Sequence, residues 1–124
     1  MQPIESDADL EEALKAKRAV VFIEVGWSLN SVVVKRNLEE MIRKWRRLEG
    51  APDVSFYVLD LTDHGQNKPP GIRQWVESVP AIKRSTYNAM GEMFWLRDGG
   101  FQEQSEGWIS PEDLLKIAKA CFMD

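Results

Sequence analysis

The sequence has little of several features that would assign it to a compartment or to a class of protein. It contains one cysteine, Cys121, one histidine, His64, and no apolar run of the roughly 18 residues that a membrane-spanning helix needs. A lone cysteine cannot form an internal disulfide, and a free thiol is typical of a reducing compartment. The first residues are acidic and lack the apolar segment of a secretory signal. We therefore expect a cytoplasmic protein with no membrane partner.

An excess of basic charge is also missing. Sixteen lysines and arginines stand against twenty acidic residues, for a net charge of −4, which disfavours a general nucleic-acid or anionic-membrane binder. The densest basic cluster, residues 43–47, includes Trp45. Nucleic-acid binding would need this indole to face outward with the arginines, but its helical spacing places it among apolar positions. We expect a buried Trp45, a solvated basic face and no nucleic-acid partner.

No spacing of histidine, cysteine and acidic residues matches a known set of metal ligands. Asp60, Asp63 and His64 lie close together, but in a polar loop where solvated side chains are the usual outcome. No motif indicates an organic cofactor. The sequence therefore predicts neither a metal site nor a cofactor.

What the chain does contain is enough apolar sequence for one folded unit. At 124 residues with 44% hydrophobic content, it can bury roughly two thirds of its unfolded surface and needs no cross-links. No repeat, linker or low-complexity segment divides it. We expect a single domain over residues 1–124.

Two short apolar segments rich in β-branched and aromatic residues predict buried central strands, at residues 19–25 and 54–61. Between them a helical pattern runs from residue 28 or 29 to residue 48. Its apolar positions recur every three or four residues, at Val34, Leu38, Met41, Trp45 and Leu48. Two buried strands joined by a helix form a right-handed parallel βαβ unit.

The flanking segments predict further elements. Ser6 caps a helix over residues 7–17, and a short helix over residues 71–79 ends before Pro80. A strand at residues 92–96, a turn at 98–100 and an edge strand at 101–105 form a hairpin, and Ser110 caps a last helix that runs to residue 122. Residues 81–89 show no clear pattern.

Some side-chain contacts on the helices can also be predicted. On the long helix, Glu39 with Arg43 and Glu40 with Lys44 are oppositely charged pairs four residues apart. On the last helix, Cys121 shares the apolar face, so we expect a buried thiol that behaves as a small hydrophobic side chain.

Residues 27–31 read Trp-Ser-Leu-Asn-Ser and directly follow the first buried strand. This segment resembles the Trp-Cys-x-x-Cys active site of thioredoxins, with both cysteines replaced by serine. The predicted order of helices and strands also resembles that of thioredoxins over nearly the whole chain. The resemblance implies a thioredoxin-like three-layer α/β/α sandwich, in which a central mixed sheet combines the parallel βαβ unit with a C-terminal β-hairpin and helix.

The chain departs from the family at further positions. Thioredoxins have a cis-proline before their third long strand, and counting back from the 98–100 turn puts Gly91 there. Their buried acid in the strand before the motif corresponds to Phe22. The segment between the second and third long strands is also longer than in a minimal thioredoxin.

The serine pair excludes the family's chemistry. Thiol–disulfide exchange needs a thiolate nucleophile and a second thiol, and neither Ser28 nor Ser31 supplies one. Ser28 is a good helix N-cap, which is its simplest role. The functional alternative is that Ser28, Asn30 and the free amides around Ser31 bind an anion or a peptide carbonyl.

Trp27 precedes the helix in a loop that we expect to be exposed, and exposed tryptophans often anchor contact surfaces. In thioredoxin-like proteins this tryptophan and the loop before the third strand frame a groove for an extended peptide. The resemblance thus implies a binding site made of Trp27, Ser28, Asn30, Ser31 and Gly91. The favoured hypothesis is a redox-inactive domain that binds a protein or peptide whose identity the sequence does not give.

Two other functions stay open. One is an enzyme of the fold, glutathione-type or hydrolytic, that uses Ser28, with His64 as the base in the hydrolytic case. The other is a structural subunit of an oligomer. Contact between Ser28 and His64 would favour the enzyme, whereas an apolar patch around Trp27 would favour binding.

Overall fold

The computed structural model describes residues 1–123 and contains a five-stranded mixed sheet between two layers of helices. The three-layer arrangement predicted from the sequence is confirmed. In chain order the elements are β1 (Gln2–Pro3), α1 (Asp7–Lys15), β2 (Arg18–Glu24), α2 (Leu29–Arg47), β3 (Ser55–Asp60), α3 (Pro70–Ser78), α4 (Pro80–Asn88), β4 (Met93–Arg97), β5 (Gly100–Ser105) and α5 (Pro111–Phe122).

The sheet has the strand order β1-β3-β2-β4-β5. The β2 and β3 strands are parallel and joined through α2, as the βαβ prediction requires. The β4 strand runs antiparallel to β2 and forms the hairpin with β5. The β2 strand lies at the centre of the sheet. Its carboxyl end and the start of α2 therefore lie in the middle of the end of the sheet at which β2 and β3 terminate.

Alternate side chains of β2 enter two separate cores, which is why the strand reads as continuously apolar. Val21 and Ile23 pack with α1, α3 and α4 on one face. Val20 and Phe22 pack with α2 and α5 on the other. Phe22, which the resemblance aligns with the family's buried acid, is buried in this second core among apolar side chains.

Two elements escaped the sequence analysis. The β1 strand has only two residues, too few for a periodic pattern, and pairs in parallel with β3. The α4 helix covers most of residues 81–89, where no pattern was recognised. Pro80 marks the end of α3 but is also the first residue of α4, a position where a missing backbone N–H costs nothing.

The predicted helix caps are confirmed, with small shifts of the helix ends. Ser6, Ser28 and Ser110 each accept a backbone N–H in the first turn of the helix that follows. The α1 helix ends at Lys15 rather than residue 17 because β2 begins at Arg18. No helix in residues 1–123 is long and apolar enough to span a membrane.

The predictions for Trp45 and Cys121 have different outcomes. Trp45 is buried, and its indole N–H donates to the Pro52 carbonyl at 3.1 Å. Cys121 is only partly buried, so the expectation of a fully buried thiol was wrong. Burial nonetheless raises the pKa of this thiol, and Glu103 adds to the effect. The residue lies in the last turn of α5 and packs against the margin of the core formed by α2 and α5.

Candidate functional site

Three chain segments meet at the N terminus of α2. The Ser28 hydroxyl donates to the Ala89 carbonyl at 2.6 Å, which ties the helix start to the loop before β4. The Gly107 N–H donates to the Met90 carbonyl at 2.7 Å, which ties that loop to the segment after β5. The structure therefore places Ser28 against the loop that contains Gly91, and adds residues 107 and 108, which the sequence analysis did not include.

The Ser28 hydroxyl is used entirely inside the protein. It is buried, it accepts the Ser31 N–H at 3.3 Å as the N-cap of α2, and it donates to Ala89. A hydroxyl has one proton to donate, and here that proton is committed. Ser28 thus fixes the loop before β4 against the helix.

Ser31 has a similar structural role. Its side chain is buried, and its hydroxyl accepts the Val25 N–H at 2.9 Å, which joins the end of β2 to the first turn of α2. Its own N–H is held by Ser28. Both serine positions therefore connect parts of the fold to each other.

Gly91 packs directly against α2. Its φ is +72°, in the left-handed region, and a Cβ at this position would lie 2.5 Å from Cγ2 of Val34. Only glycine satisfies both constraints. Glycine, at the position that the resemblance aligns with the family's proline, lets the loop approach α2 more closely than any side chain would allow.

Glu92 is a buried carboxyl group that the sequence analysis missed. It is 1% exposed, and its Oε1 accepts the Met90 N–H at 2.7 Å. Burial raises the pKa of this carboxyl, against the lowering effect of hydrogen bonds from backbone N–H groups and Ser85. The available signal was an acidic residue at the head of an otherwise apolar strand. We call Ser28, Ser31, Gly91 and Glu92 the support.

Above the support, large apolar side chains face solvent. Trp27, Leu29 and Trp108 are 61%, 68% and 64% exposed, and the exposure predicted for Trp27 is confirmed. Val32 and Met90 are also exposed. We call these five residues the apolar rim. Trp108 was missed because it lies between two elements and no local pattern indicates what it contacts.

Asn30 connects two parts of the rim. Its Oδ1 accepts the indole N–H of Trp108 at 2.7 Å, and its Nδ2 lies 3.5 Å from the sulfur of Met90. The amide thus holds Trp108 beside the start of α2. Of the predicted site residues, Trp27 and Asn30 are the two that lie at the surface.

His64 belongs to a different region. Its ring stacks on Tyr87 with centroids 4.9 Å apart, beside a cavity of about 500 Å³ whose lining includes His64, Arg73 and Glu77. Ser28 does not line this cavity, and within residues 1–123 no hydrogen bond joins Ser28 to His64. Ser28 is therefore not hydrogen-bonded to the histidine that the hydrolytic alternative needs as its base.

The acidic residues near His64 serve the loop that contains them. Asp60 accepts the Thr62 N–H at 2.9 Å, and Asp63 accepts the N–H groups of Gly65 and Asn67. These bonds turn the chain after β3. In the described part of the chain they do not form part of a metal-binding group.

Comparison with solved structures identifies the fold. No protein-family model matches the chain, and no curated protein matches its sequence. A thioredoxin from Fasciola hepatica superposes with a TM-score of 0.65 and 18% identity, over 98% of this chain and 99% of that chain. Thioredoxin O2 from Arabidopsis thaliana, in its oxidized state, gives 0.63 and 14%, over 98% and 93%.

A third similar chain comes from work on the thiol-resolving mechanism of a yeast mitochondrial 1-Cys peroxiredoxin through the glutathione and thioredoxin systems. It gives a TM-score of 0.65 at 18% identity, over 97% of this chain and 94% of that chain. At such identities the similarity shows the fold alone. The architecture is shared over almost the entire length of both chains.

Proposed function

We propose that this thioredoxin-fold chain is a redox-inactive domain that binds a partner protein through the apolar rim. One observation carries the proposal. At the end of the sheet where Ser28 and Ser31 lie, large apolar side chains stay exposed while both serine hydroxyls make hydrogen bonds within the protein. The surface suits binding, and the groups beneath it do not suit catalysis.

The first part of the proposal follows from the chemistry of the side chains. Disulfide exchange needs a thiolate to attack and a second thiol to release the mixed disulfide. The only cysteine, Cys121, lies in α5, and its raised pKa disfavours the thiolate. The domain therefore lacks both an attacking and a resolving group at the rim.

The second part rests on how the rim is held. Tryptophans in contact surfaces often contribute more binding energy than their neighbours. Trp108 is fixed by its hydrogen bond to Asn30, so less side-chain freedom is lost when a partner covers it. Met90 is fixed through its backbone, whose N–H and carbonyl both have partners. A rim that is already ordered binds at lower entropic cost.

Of the predicted binding residues, Trp27 and Asn30 would touch the partner. Ser28, Ser31 and Gly91 act from below by holding the rim in place. The alternative in which Ser28 and the amide of Ser31 bind an anion gains no support, because these two groups are bonded to each other. The enzyme alternative gains none either. The hydroxyl proton that a glutathione-type enzyme would offer to a thiolate is donated to Ala89, and within the described residues Ser28 has no hydrogen bond to His64 that would serve a hydrolytic reaction.

Turnover tests redox inactivity. In an insulin reduction assay driven by a dithiol, the wild-type chain should not exceed the uncatalysed rate. The Ser28→Cys/Ser31→Cys variant should form an intramolecular disulfide but catalyse only feebly, because Phe22 and Gly91 replace two other parts of the family's site. Turnover by the wild-type chain would refute redox inactivity.

Site-specific photo-crosslinking tests the binding surface. A photoreactive phenylalanine analogue at Leu29 should capture a discrete partner, while the same analogue at Phe101, an exposed apolar residue on the edge strand β5, should not. Equal capture at both positions would contradict a specific rim. If the captured partner is a second copy of the chain, the domain is the structural subunit of an oligomer that the sequence left open.

A further inference from the structure

We infer that the partner presents an acidic amphipathic helix, which lies along the exposed side of α2 with its apolar end on the rim. This inference rests on the proposed function and adds the chemistry of the partner. It arises from a row of five exposed residues on α2 that begins at the rim: Leu29, Val32, Arg36, Arg43 and Arg47. We call this row the α2 stripe.

The stripe follows from helical geometry. At about 100° per residue its five members fall within an arc of about 60°, and the buried Val34, Leu38, Met41 and Trp45 lie on the opposite side. With 19 residues, α2 is about 27 Å long. Its exposed side is apolar in the first turn, and beyond that turn it carries more arginines than glutamates. A partner seated on Leu29 and Val32 would therefore meet arginines as it continued along the helix.

The charges of the stripe are not neutralised within the protein. Lys35 pairs with Glu24 at 2.6 Å, and Lys44 pairs with Glu112 of α5 at 2.6 Å. In contrast, none of Arg36, Arg43 and Arg47 makes an ion pair within residues 1–123.

The glutamates of α2 do not change this conclusion. The predicted pair between Glu39 and Arg43 does not form in the described structure, while Glu40 lies 4.0 Å from Lys44, as predicted. Glu39 and Glu40 are both exposed between Arg36 and Arg43, one on either side of the stripe, so the stripe is basic with an acidic pair in its middle. Three free guanidinium groups in a row, in a protein of net charge −4, point to carboxylates on the partner.

The backbone at the rim argues for a helix rather than an extended peptide. A strand added to this surface would need free main-chain donors and acceptors. The Met90 N–H is bonded to Glu92, and the Met90 carbonyl accepts the Gly107 N–H. A helix satisfies its own backbone and offers only side chains. The extended peptide implied by the family resemblance therefore fits this surface less well.

The same stripe lacks what a nucleic acid would need. Single strands bind through a basic surface interleaved with aromatic rings on which bases stack. The aromatic residue among these arginines, Trp45, is buried. Among the exposed aromatic side chains, Trp27 and Trp108 lie on the rim, at the apolar end of the stripe, and Tyr87 and Phe101 lie outside the stripe.

Calorimetry with a designed probe tests the inference. The probe is a helical peptide of about 20 residues, with leucines in its first turn and glutamates at the spacing of Arg36, Arg43 and Arg47. A matched peptide has glutamine in place of glutamate. The acidic probe should bind wild-type protein about tenfold more tightly than its glutamine counterpart, with an advantage that shrinks as salt is added.

Charge reversal identifies the surface that binds the probe. The Arg43→Glu/Arg47→Glu variant should lose about tenfold or more in affinity for the acidic probe and reverse the preference between the peptides. A matched control, Arg73→Glu/Arg84→Glu, makes the same change in net charge on α3 and α4, across the sheet, and should bind as wild type does. Circular dichroism of each variant confirms that it is folded.

The outcomes separate this inference from the proposed function. If Trp27→Ala abolishes probe binding while Arg43→Glu/Arg47→Glu leaves it unchanged, the acidic helix is refuted and the rim remains the binding site. If neither change alters binding of the probe, the acidic helix is refuted, and crosslinking at Leu29 decides separately whether the rim is the binding site. If oligothymidylate binds more tightly than the acidic probe and is lost in the arginine variant, the stripe binds nucleic acid and the inference is wrong.

Discussion

Apart from Trp108, the residues of the rim lie within a few positions of the support along the chain, yet the two groups differ in burial and in hydrogen bonding. Ser28 is buried and bonded on both sides, whereas its neighbour Trp27 projects into solvent. Met90 is exposed, whereas Gly91 is packed against Val34. The residues that resemble catalytic positions have thus become structural. The exposed residues of the rim are free to contact a partner. The variants below test whether stability depends on the support and binding on the rim.

The largest expected effect is on the support, at Gly91. Gly91→Ala should lower the free energy of unfolding by about 3 kcal/mol, because a left-handed backbone and a clash with Val34 act together. Urea denaturation measures the change. Gly50→Ala is the matched control. Its φ is +79°, but a Cβ there meets nothing within 4 Å, so about 1 kcal/mol of backbone strain is expected. Equal losses would show that the contact with α2 is unimportant.

The rim should show the opposite behaviour. Trp27→Ala should weaken partner binding by about 2 kcal/mol or more, while the free energy of unfolding stays within about 0.5 kcal/mol of wild type. Titration calorimetry and thermal denaturation measure the two quantities on the same samples. Trp108→Ala should behave similarly. A large loss of stability with Trp27→Ala would mean that the distinction between rim and support fails at this residue.

Ser28→Ala should destabilise the fold by about 1.5 kcal/mol, since it removes the N-cap and leaves the Ala89 carbonyl without the hydroxyl that donates to it. Ser110→Ala removes only an exposed cap, so a smaller cost is expected. Chemical denaturation compares the two variants. A loss no larger than that of Ser110→Ala would indicate that the bond to Ala89 adds nothing.

The smallest effect is a pH dependence that originates in Glu92. Because burial raises its folded-state pKa above the ordinary 4.5, the folded state binds this proton more tightly than the unfolded state does. The free energy of unfolding should therefore contain a contribution that is complete below pH 4.5 and is lost as the pH rises through the folded-state pKa.

Glu92→Gln isolates that contribution. Asp9, Glu11 and Glu112 have lowered pKa values and give slopes of the opposite sign in both proteins, so the difference between wild type and variant is the quantity to measure. That difference should fall with rising pH in urea unfolding series. A difference that does not depend on pH would show that the carboxyl titrates normally.

Much of this architecture could be predicted from the sequence because its signals are local. The continuous apolar run of β2 reflects its burial on both faces of the sheet. The helical spacing of apolar positions in α2 reflects its one buried side. Ser28 and Ser110 show where helices begin. The exposure of Trp27 followed from its place between a strand end and a helix cap.

Other features were ambiguous because one residue type serves two purposes. Pro80 follows the end of α3 and is also the first residue of α4. The sequence analysis recognised only the first of these roles and therefore missed α4. Arg43 has a favourable partner four residues earlier along α2, yet it stays unpaired in the described structure while Lys44 reaches Glu112 on α5. Local pairing rules compare neighbours on one helix, whereas the packing of α5 against α2 decides which pair forms.

The sequence by itself determined the order of elements, the central strands, the helix caps and the absence of thiol chemistry at residues 28 and 31. The tertiary structure decided what those residues do instead. Ser28 bonds to a residue 61 positions away, and Asn30 to one 78 positions away. Hydrogen bonds of this range depend on which loops the sheet order brings to one edge. Burial and backbone conformation can be predicted from neighbouring residues in the sequence. Contacts between distant loops cannot, because they depend on the fold as a whole.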